Sequence, residues 1–293
     1  MANLNQIKWQ IKSVKNLKKI TRALEVVSTV KLQKTKDKAE ALKNYILDLL
    51  YILNNTGNKL DIFSSSDTKS DRELVVLIST DRWLCGALNS KLFKTVLDEY
   101  WDKKDKVDFF VVWKKWLEFL ARYWFNVVGN TSLKDNFTDS DLNVLHSFLD
   151  KELSASNYWA VKLYFNYFKN SLVQIPTWIN LFPLNQESFD SFISDLSIDY
   201  SSKADFRWRD LILEPNVELL VEEIKRQIRN YLIMSAIVQN KTWEYASRMI
   251  AMKNAKDNSS SKIDSLTLTF NKARQWAITQ EISEIVWAKA ALE

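Results

Sequence analysis

Glycine is nearly missing from this 293-residue chain, which has 3, and proline is as scarce, also with 3. An ordinary usage of ~7% would give about twenty glycines. Long uninterrupted helices are therefore open to the sequence, while turns that need a left-handed backbone have few glycines to occupy them. The one cysteine, Cys85, excludes an internal disulfide and a cysteine-rich metal centre, which suits a reducing compartment. In a turn after a strand it reads as a small hydrophobe. The one histidine, His146, leaves no zinc spacing and no partner for a Ser or Cys nucleophile, and a solvated place on a helix is expected for it. There is no GxxxxGK[ST] phosphate loop and no GxGxxG turn, even with Trp allowed to stand for Gly. No apolar run reaches the ~18 residues of a membrane span, and the opening MANLNQIKWQIKSVKN is too polar for a signal core. The chain is not expected to be an enzyme on its own or to hold a cofactor or metal.

Hydrophobic residues make up 46% of the chain, enough for a sizeable core, and Trp reaches 12. Lys and Arg number 41 against 36 Asp and Glu, and a net charge of +5 permits an acidic partner without demanding nucleic acid. From Leu4 to about Asn54 there is no Pro or Gly, and Ile7, Ile11, Val14, Leu17, Ile20, Leu24, Val27 and Val30 recur at helical steps. Roughly fifty residues at 1.5 Å each make a rod of ~75 Å, which needs a partner along its length. Residues 217–292 also lack Pro and Gly, with Asn216 a candidate N-cap. Helical spacing runs through Val221, Ile224, Ile228 and Tyr231, then Met249 and Met252, then Ile278, Ile282, Ile285 and Leu292. Only DNSSSKID, at 257–264, reads as a weak point. The two terminal rods are expected to pair as an antiparallel coiled coil.

The middle alternates. ELVVLIST (73–80) and VDFFVV (107–112) read as strands, followed by the helical SKLFKTVLDEYW and KKWLEFLARYW. WAVKLYFN (159–166) reads as a further strand after a helical 140–155, and SLVQIPT as one more. This alternation predicts βαβ units and a mostly parallel sheet. Residues 55–72 and 183–207 read as polar connectors. The domains expected are 1–55, 73–207 and 214–293. A run of Lys8, Lys12, Lys15, Lys18, Lys19 and Arg22, continued by Lys31 to Lys38, reads either as a solvated helix face or as a basic rod against acidic surfaces.

IKSVKNLKKITRALEVVSTVKLQK, STDRWLCGALNSKLF, and EYASRMIAMKNAKDNSSSKIDSLTLTFNKARQWAITQEISEIV together resemble the gamma subunit of F-type ATP synthases, in order and over both ends and the middle. The resemblance implies an antiparallel coiled coil of the N- and C-terminal helices with a central Rossmann-like α/β domain. It implies a central rotor shaft that transmits torque between an ion-driven membrane ring and a catalytic hexamer of alpha and beta subunits. Partners implied are the alpha, beta and epsilon subunits and the c-subunit ring, without nucleic acid. The family start, with no extension ahead of it, implies the cytoplasmic face of a bacterial plasma membrane. By position, Lys18, Ile20, Thr21 and Arg22 in KKITRA match residues that face the beta subunits. Arg248, Arg274, Gln275, Thr279 and Glu281 match contacts with the surrounding subunits, Glu284 extends that motif, and Glu214 matches a foot position near the ring. For Arg248 and Glu281 an ordinary ion pair worth ~0 to 1 kcal/mol is the simpler account.

The sequence departs from the family pattern at Leu24, commonly Met, at Tyr245, commonly His, and above all at Trp. Where the family has Gly in a TDRGLCGGLN-like turn this chain has Trp83. VVGKKG becomes VVWKKW at Trp113 and Trp116, and the tail carries Trp287. Trp and Gly taken together come close to an ordinary Gly content, which sets the expectation that many or all of the Trp are a UGA codon that the cell reads as Gly. An indole at 83 should then strain its turn. Two other functions stay open on the residues alone: a Lys-rich coiled coil that binds nucleic acid, and a dinucleotide enzyme, which the missing glycine turn disfavours.

Overall fold

The computed structural model describes residues 4–56, 63, 70–80, 88–113, 115–134, 137–168, 174–195 and 217–290. Trp83, Cys85, Glu214 and Asn216 lie outside the described residues, and so does the turn 81–87. The chain forms two compact units, one of residues 1–31 with 248–293, the other of 32–247. Two helices run through both: α1 (Leu4–Thr56) and α6 (Val217–Ala290).

The larger unit is built on β1 (Glu73–Ile78), β2 (Val107–Val112), β3 (Asn126–Thr131), β4 (Ala160–Phe168) and β5 (Gln174–Phe182), in the sheet order β3-β2-β1-β4-β5. β1 runs parallel to β2 and β4, and β2 to β3, while β5 returns antiparallel on β4. The parallel βαβ organisation expected from the alternation is present. β1 and β2 are buried along their whole length, as central parallel strands are when both faces are covered. Alternate residues go to opposite sides. Leu74, Val76 and Ile78 pack with Ile46 of α1, Leu145 and Leu149 of α4 (Asn143–Ser154), Phe189 of α5 (Gln186–Asp195) and Ile228, Leu232 and Ala236 of α6. Val75 and Leu77 face Leu92 and Val96 of α2 (Leu88–Tyr100) and Leu120 of α3 (Lys115–Arg122).

Neither β3 nor α5 was foreseen. β3 alternates exposed and half-buried residues, because NVVGNT is an edge strand too polar to announce itself. α5 falls inside the segment 183–207 expected to be a connector, its helix held by Phe189 against the core. β5 extends to Phe182, beyond the run SLVQIPT, and carries Pro176, which an edge strand tolerates. DNSSSKID does not interrupt α6, and Ser259, Ser260 and Ser261 return their hydroxyls to the carbonyls four residues back. His146 is half-buried with its ring nitrogens shielded from water, so the expected solvated place does not hold.

Polar side chains fix the ends of the strands. Asn240 of α6 donates to the Ser79 carbonyl at 2.7 Å and accepts from Asn166 at 3.3 Å, which ties α6 to the end of β1. Asn89 Nδ2 donates to the Thr80 carbonyl at 2.8 Å. At the other end Lys162 bridges Glu73 (3.0 Å) and Glu99 (3.1 Å), while Tyr100 donates to Glu73 at 2.6 Å. Burial pushes the Tyr100 and Tyr164 phenols far up, reinforced at Tyr100 by Tyr164 and Glu73 and at Tyr164 by Glu99.

Candidate functional site

In the smaller unit α1 and α6 lie side by side. α1 turns Leu4, Ile7, Ile11, Val14, Lys18, Thr21, Glu25 and Ser28 inward, at strictly alternating steps of three and four. α6 answers with Met252, Lys256, Ser259, Ile263, Leu266, Phe270, Ala273 and Ala277. A seven-residue repeat on both helices is the seam of a coiled coil. The direction is antiparallel. Leu4 and Ile7 line one groove with Ala273, Trp276 and Ala277, whereas Glu25 meets Lys256 at 2.8 Å near the other end.

The seam changes character along its length. Its first half is apolar on α1, and its second half is Lys18, Thr21, Glu25 and Ser28. Thr21 and Ser28 are buried yet satisfied, each donating to a carbonyl of its own helix, Lys18 at 3.0 Å and Leu24 at 2.7 Å. Glu25 and Lys256 are the charged pair of this stretch and are only 20% and 25% exposed.

This corrects the expected stripe. Ile7, Ile11 and Val14 do point inward, but Leu17, Ile20, Val27 and Val30 are 51 to 57% exposed. The physical reason is the period. The apolar residues at the end of the pair fix a 3.5-residue register, and continuing it brings 18, 21, 25 and 28 inward, so Leu17, Ile20 and Val27, each one residue earlier, turn about 100° away. The same happens near the C-terminus. Past Ala277 the helix continues for about thirteen residues, ~20 Å at 1.5 Å each, beyond the first described residue of α1. Every described side chain from Glu281 to Lys289 is exposed, among them Ile282, Ile285, Val286 and Trp287.

The residues singled out from the sequence fall into two sets here. Ile20 (57% exposed), Arg22, Arg274, Gln275, Thr279, Glu281 and Glu284 are on the outer surface. Thr279 donates to the Gln275 carbonyl at 2.9 Å, and Glu284 accepts from Gln280 at 2.9 Å, so both are held along the helix. Lys18 and Thr21 are in the seam, and Arg248 is 9% exposed. The Glu25–Lys256 pair was missed, because neither residue stands out until the register is known. Val26, 56% exposed, extends the outward apolar surface and was missed for the same reason. Among the described residues no group of His, Cys, Asp and Glu could hold a metal, and no helix is long and apolar enough to cross a membrane.

Comparison with known proteins agrees along the full length. The family model for ATP synthase matches residues 3–292. The chain is 34% identical over 306 residues to the ATP synthase gamma chain of Actinobacillus pleuropneumoniae serotype 3, covering 100% of both chains. It is 34% identical over 301 residues to that of Ruthia magnifica, again covering 100% of each. In fold it is similar to a chain of the Euglena gracilis mitochondrial ATP synthase in an OSCP/F1/c-ring assembly, with a TM-score of 0.66, 19% identity, and 99% of this chain and 94% of that one covered. A second Euglena gracilis structure, of the rotor, gives a TM-score of 0.61 at 18% identity, covering 94% and 98%. A family model over almost the whole chain, relatives at one-third identity from end to end, and the presence of two paired terminal helices and a five-stranded α/β sheet lead to one conclusion: the chain belongs to the ATP synthase gamma-chain family.

Proposed function

We propose that this chain is the central rotor shaft of an F-type ATP synthase, a non-catalytic subunit that transmits torque between the ion-driven c-subunit ring and the alpha/beta hexamer. It works beside the epsilon subunit, at the cytoplasmic face of a bacterial plasma membrane, and holds no cofactor. The observation that carries this reading is the outward apolar surface of the paired helices. Leu17, Ile20, Val26, Val27 and Val30 on α1, with Ile278, Ile282, Ile285 and Val286 on α6, are each 47 to 69% exposed. Such a surface on a slender two-helix rod suits a surrounding partner, since apolar surface of that extent marks a contact. It also suits rotation. Apolar contacts are non-directional, so a turning rod slides past them without breaking one fixed set of hydrogen bonds at each step.

Torque then acts by population shift. The two helices differ in sequence all round, so each neighbour meets a different surface at each angle, and the neighbour's conformations are favoured unequally. Thr21 and the Glu25–Lys256 pair act inside the rod, while Ile20, Arg22, Arg274, Gln275, Thr279, Glu281 and Glu284 act on its surface. Glu214 acts in the foot. A coiled coil made to bind nucleic acid would instead present a polar, basic surface without these aliphatic side chains. The experiment is purification of the tagged chain from its own cells. An ATP-hydrolysing complex containing alpha and beta subunits at fixed stoichiometry is expected, and a chain recovered without them would end the rotor reading.

A further inference from the structure

We propose that the tryptophans of this sequence, Trp113 and Trp124 above all, stand where the protein made in its own cell carries glycine, their codon being UGA read by a glycine-charged transfer RNA. The proposal does not rest on the rotor reading. It rests first on the backbone. Three non-glycine residues among those described have positive φ, and two are tryptophans: Trp113 at 83° and Trp124 at 63°. A bulky side chain on left-handed backbone is an outlier, whereas glycine enters that region freely.

Trp124 shows which structural role is being filled. α3 ends with Phe125 N–H donating to the Leu120 carbonyl and Trp124 N–H to the Ala121 carbonyl, both at 3.1 Å. The first bond spans six residues and encloses the second, and Leu120 and Phe125 are both buried. That is the Schellman ending of a helix, with its apolar contact, and Trp124 occupies the left-handed position that is usually glycine. The indole contributes little there, being 86% exposed.

Trp113 follows β2 and donates its backbone N–H to the Thr131 carbonyl at 2.7 Å, a bond that glycine would keep. Its indole is buried, donates to the Leu133 carbonyl at 3.2 Å and has Lys241 4.7 Å from the ring, so it packs well on a backbone that does not suit it. At Trp116 the fault is space. Phe93 lies 5.0 Å from the Trp116 ring and 3.3 Å from Phe119 edge-on, closer than the 4.5–7 Å of ordinary aromatic pairs.

Most of the other described tryptophans agree in distribution, Trp243, which is fully buried, being the exception. Of those described, Trp9, Trp101, Trp124, Trp159, Trp178, Trp276 and Trp287 are 43 to 86% exposed, although Trp is on average among the well-buried residues. A residue placed by its backbone and not by its side chain gives that distribution, and 12 Trp against 3 Gly is the composition it produces.

Three measurements decide the matter. Peptide mass spectrometry of the chain isolated from its own cells should give glycine at 113 and 124, and its gene should read UGA there. Tryptophan masses or UGG codons at these two positions would overturn the proposal and leave the exposed indoles as an aromatic contact surface. In a host that inserts tryptophan, Trp124→Gly should unfold at a higher urea concentration than the unsubstituted chain. An unchanged or lower midpoint would remove the backbone argument on which the proposal stands.

Discussion

The two units handle apolar residues in opposite ways. In the larger unit Leu74 to Ile78 are fully buried, α2 and α3 cover one face of the sheet, and Asn240 and Lys162 are tied to a carbonyl and to carboxylates. In the smaller unit part of the seam is polar, while Ile20, Val27, Ile282 and Ile285 face outward. Burial of apolar surface is the main favourable term in folding, so the first arrangement holds itself together and the second leaves much of that term for another surface to supply. A helix tip exposed on all sides cannot be stable by propensity alone. The smaller unit is thus shaped as half of an interface.

Substitutions can break that contrast, starting in the core. Phe109→Ala removes a fully buried ring from β2 and should cost about 3–5 kcal/mol in urea unfolding of the isolated chain. Lys162→Met should come next. It leaves Glu73 and Glu99 facing each other without their cation, at a cost of about 2–3 kcal/mol. Burial depresses the Lys162 ammonium most of any single influence, but hydrogen bonds and charge from Glu73 and Glu99 together raise it above the ordinary lysine value. Its stabilisation is therefore complete below the ordinary value and lost as pH rises through the folded one. Alkaline titration of stability should show this loss in the unsubstituted chain and not in Lys162→Met.

A smaller effect is expected inside the seam of the paired helices. A double-mutant cycle on Glu25 and Lys256 should give a coupling of about 0.5–1 kcal/mol, the range of a partly exposed pair. The smallest effect on stability sharpens the comparison most. Ile282→Asp should change unfolding of the isolated chain by no more than about 0.5 kcal/mol, because the side chain is already 56% exposed. The same substitution should reduce co-purification with the alpha and beta subunits. Loss of stability in the isolated chain, with co-purification intact, would mean that this surface is not an interface.

Much of the fold was legible in the sequence because strong local signals coincided with burial. ELVVLIST and VDFFVV are apolar throughout since both faces of the sheet are covered, and two long stretches free of Pro and Gly are the two long helices. β3 was not legible because an edge strand with one open face needs few apolar residues, and α5 because it lies in a polar segment, where Phe189 packs on the core. Of the candidate site, the residue types on the outer surface could be named from the resemblance. Their separation from Thr21 and Lys18, which turn inward, could not.

By itself the sequence determined that both termini are helical rods, that strands and helices alternate between them, and which family the chain belongs to. These follow from local spacing and from identity along the chain. Only the tertiary structure decided which stripe of each rod is the seam. Apolar residues at 17, 20, 27 and 30 and polar ones at 18, 21, 25 and 28 are both at helical spacing, and a lone helix buries neither. The choice is made by the register set with the partner helix, where Leu4 and Ile7 meet Ala273 and Ala277 and Glu25 meets Lys256. Once that register is fixed, the outward apolar surface follows from the geometry of the helix.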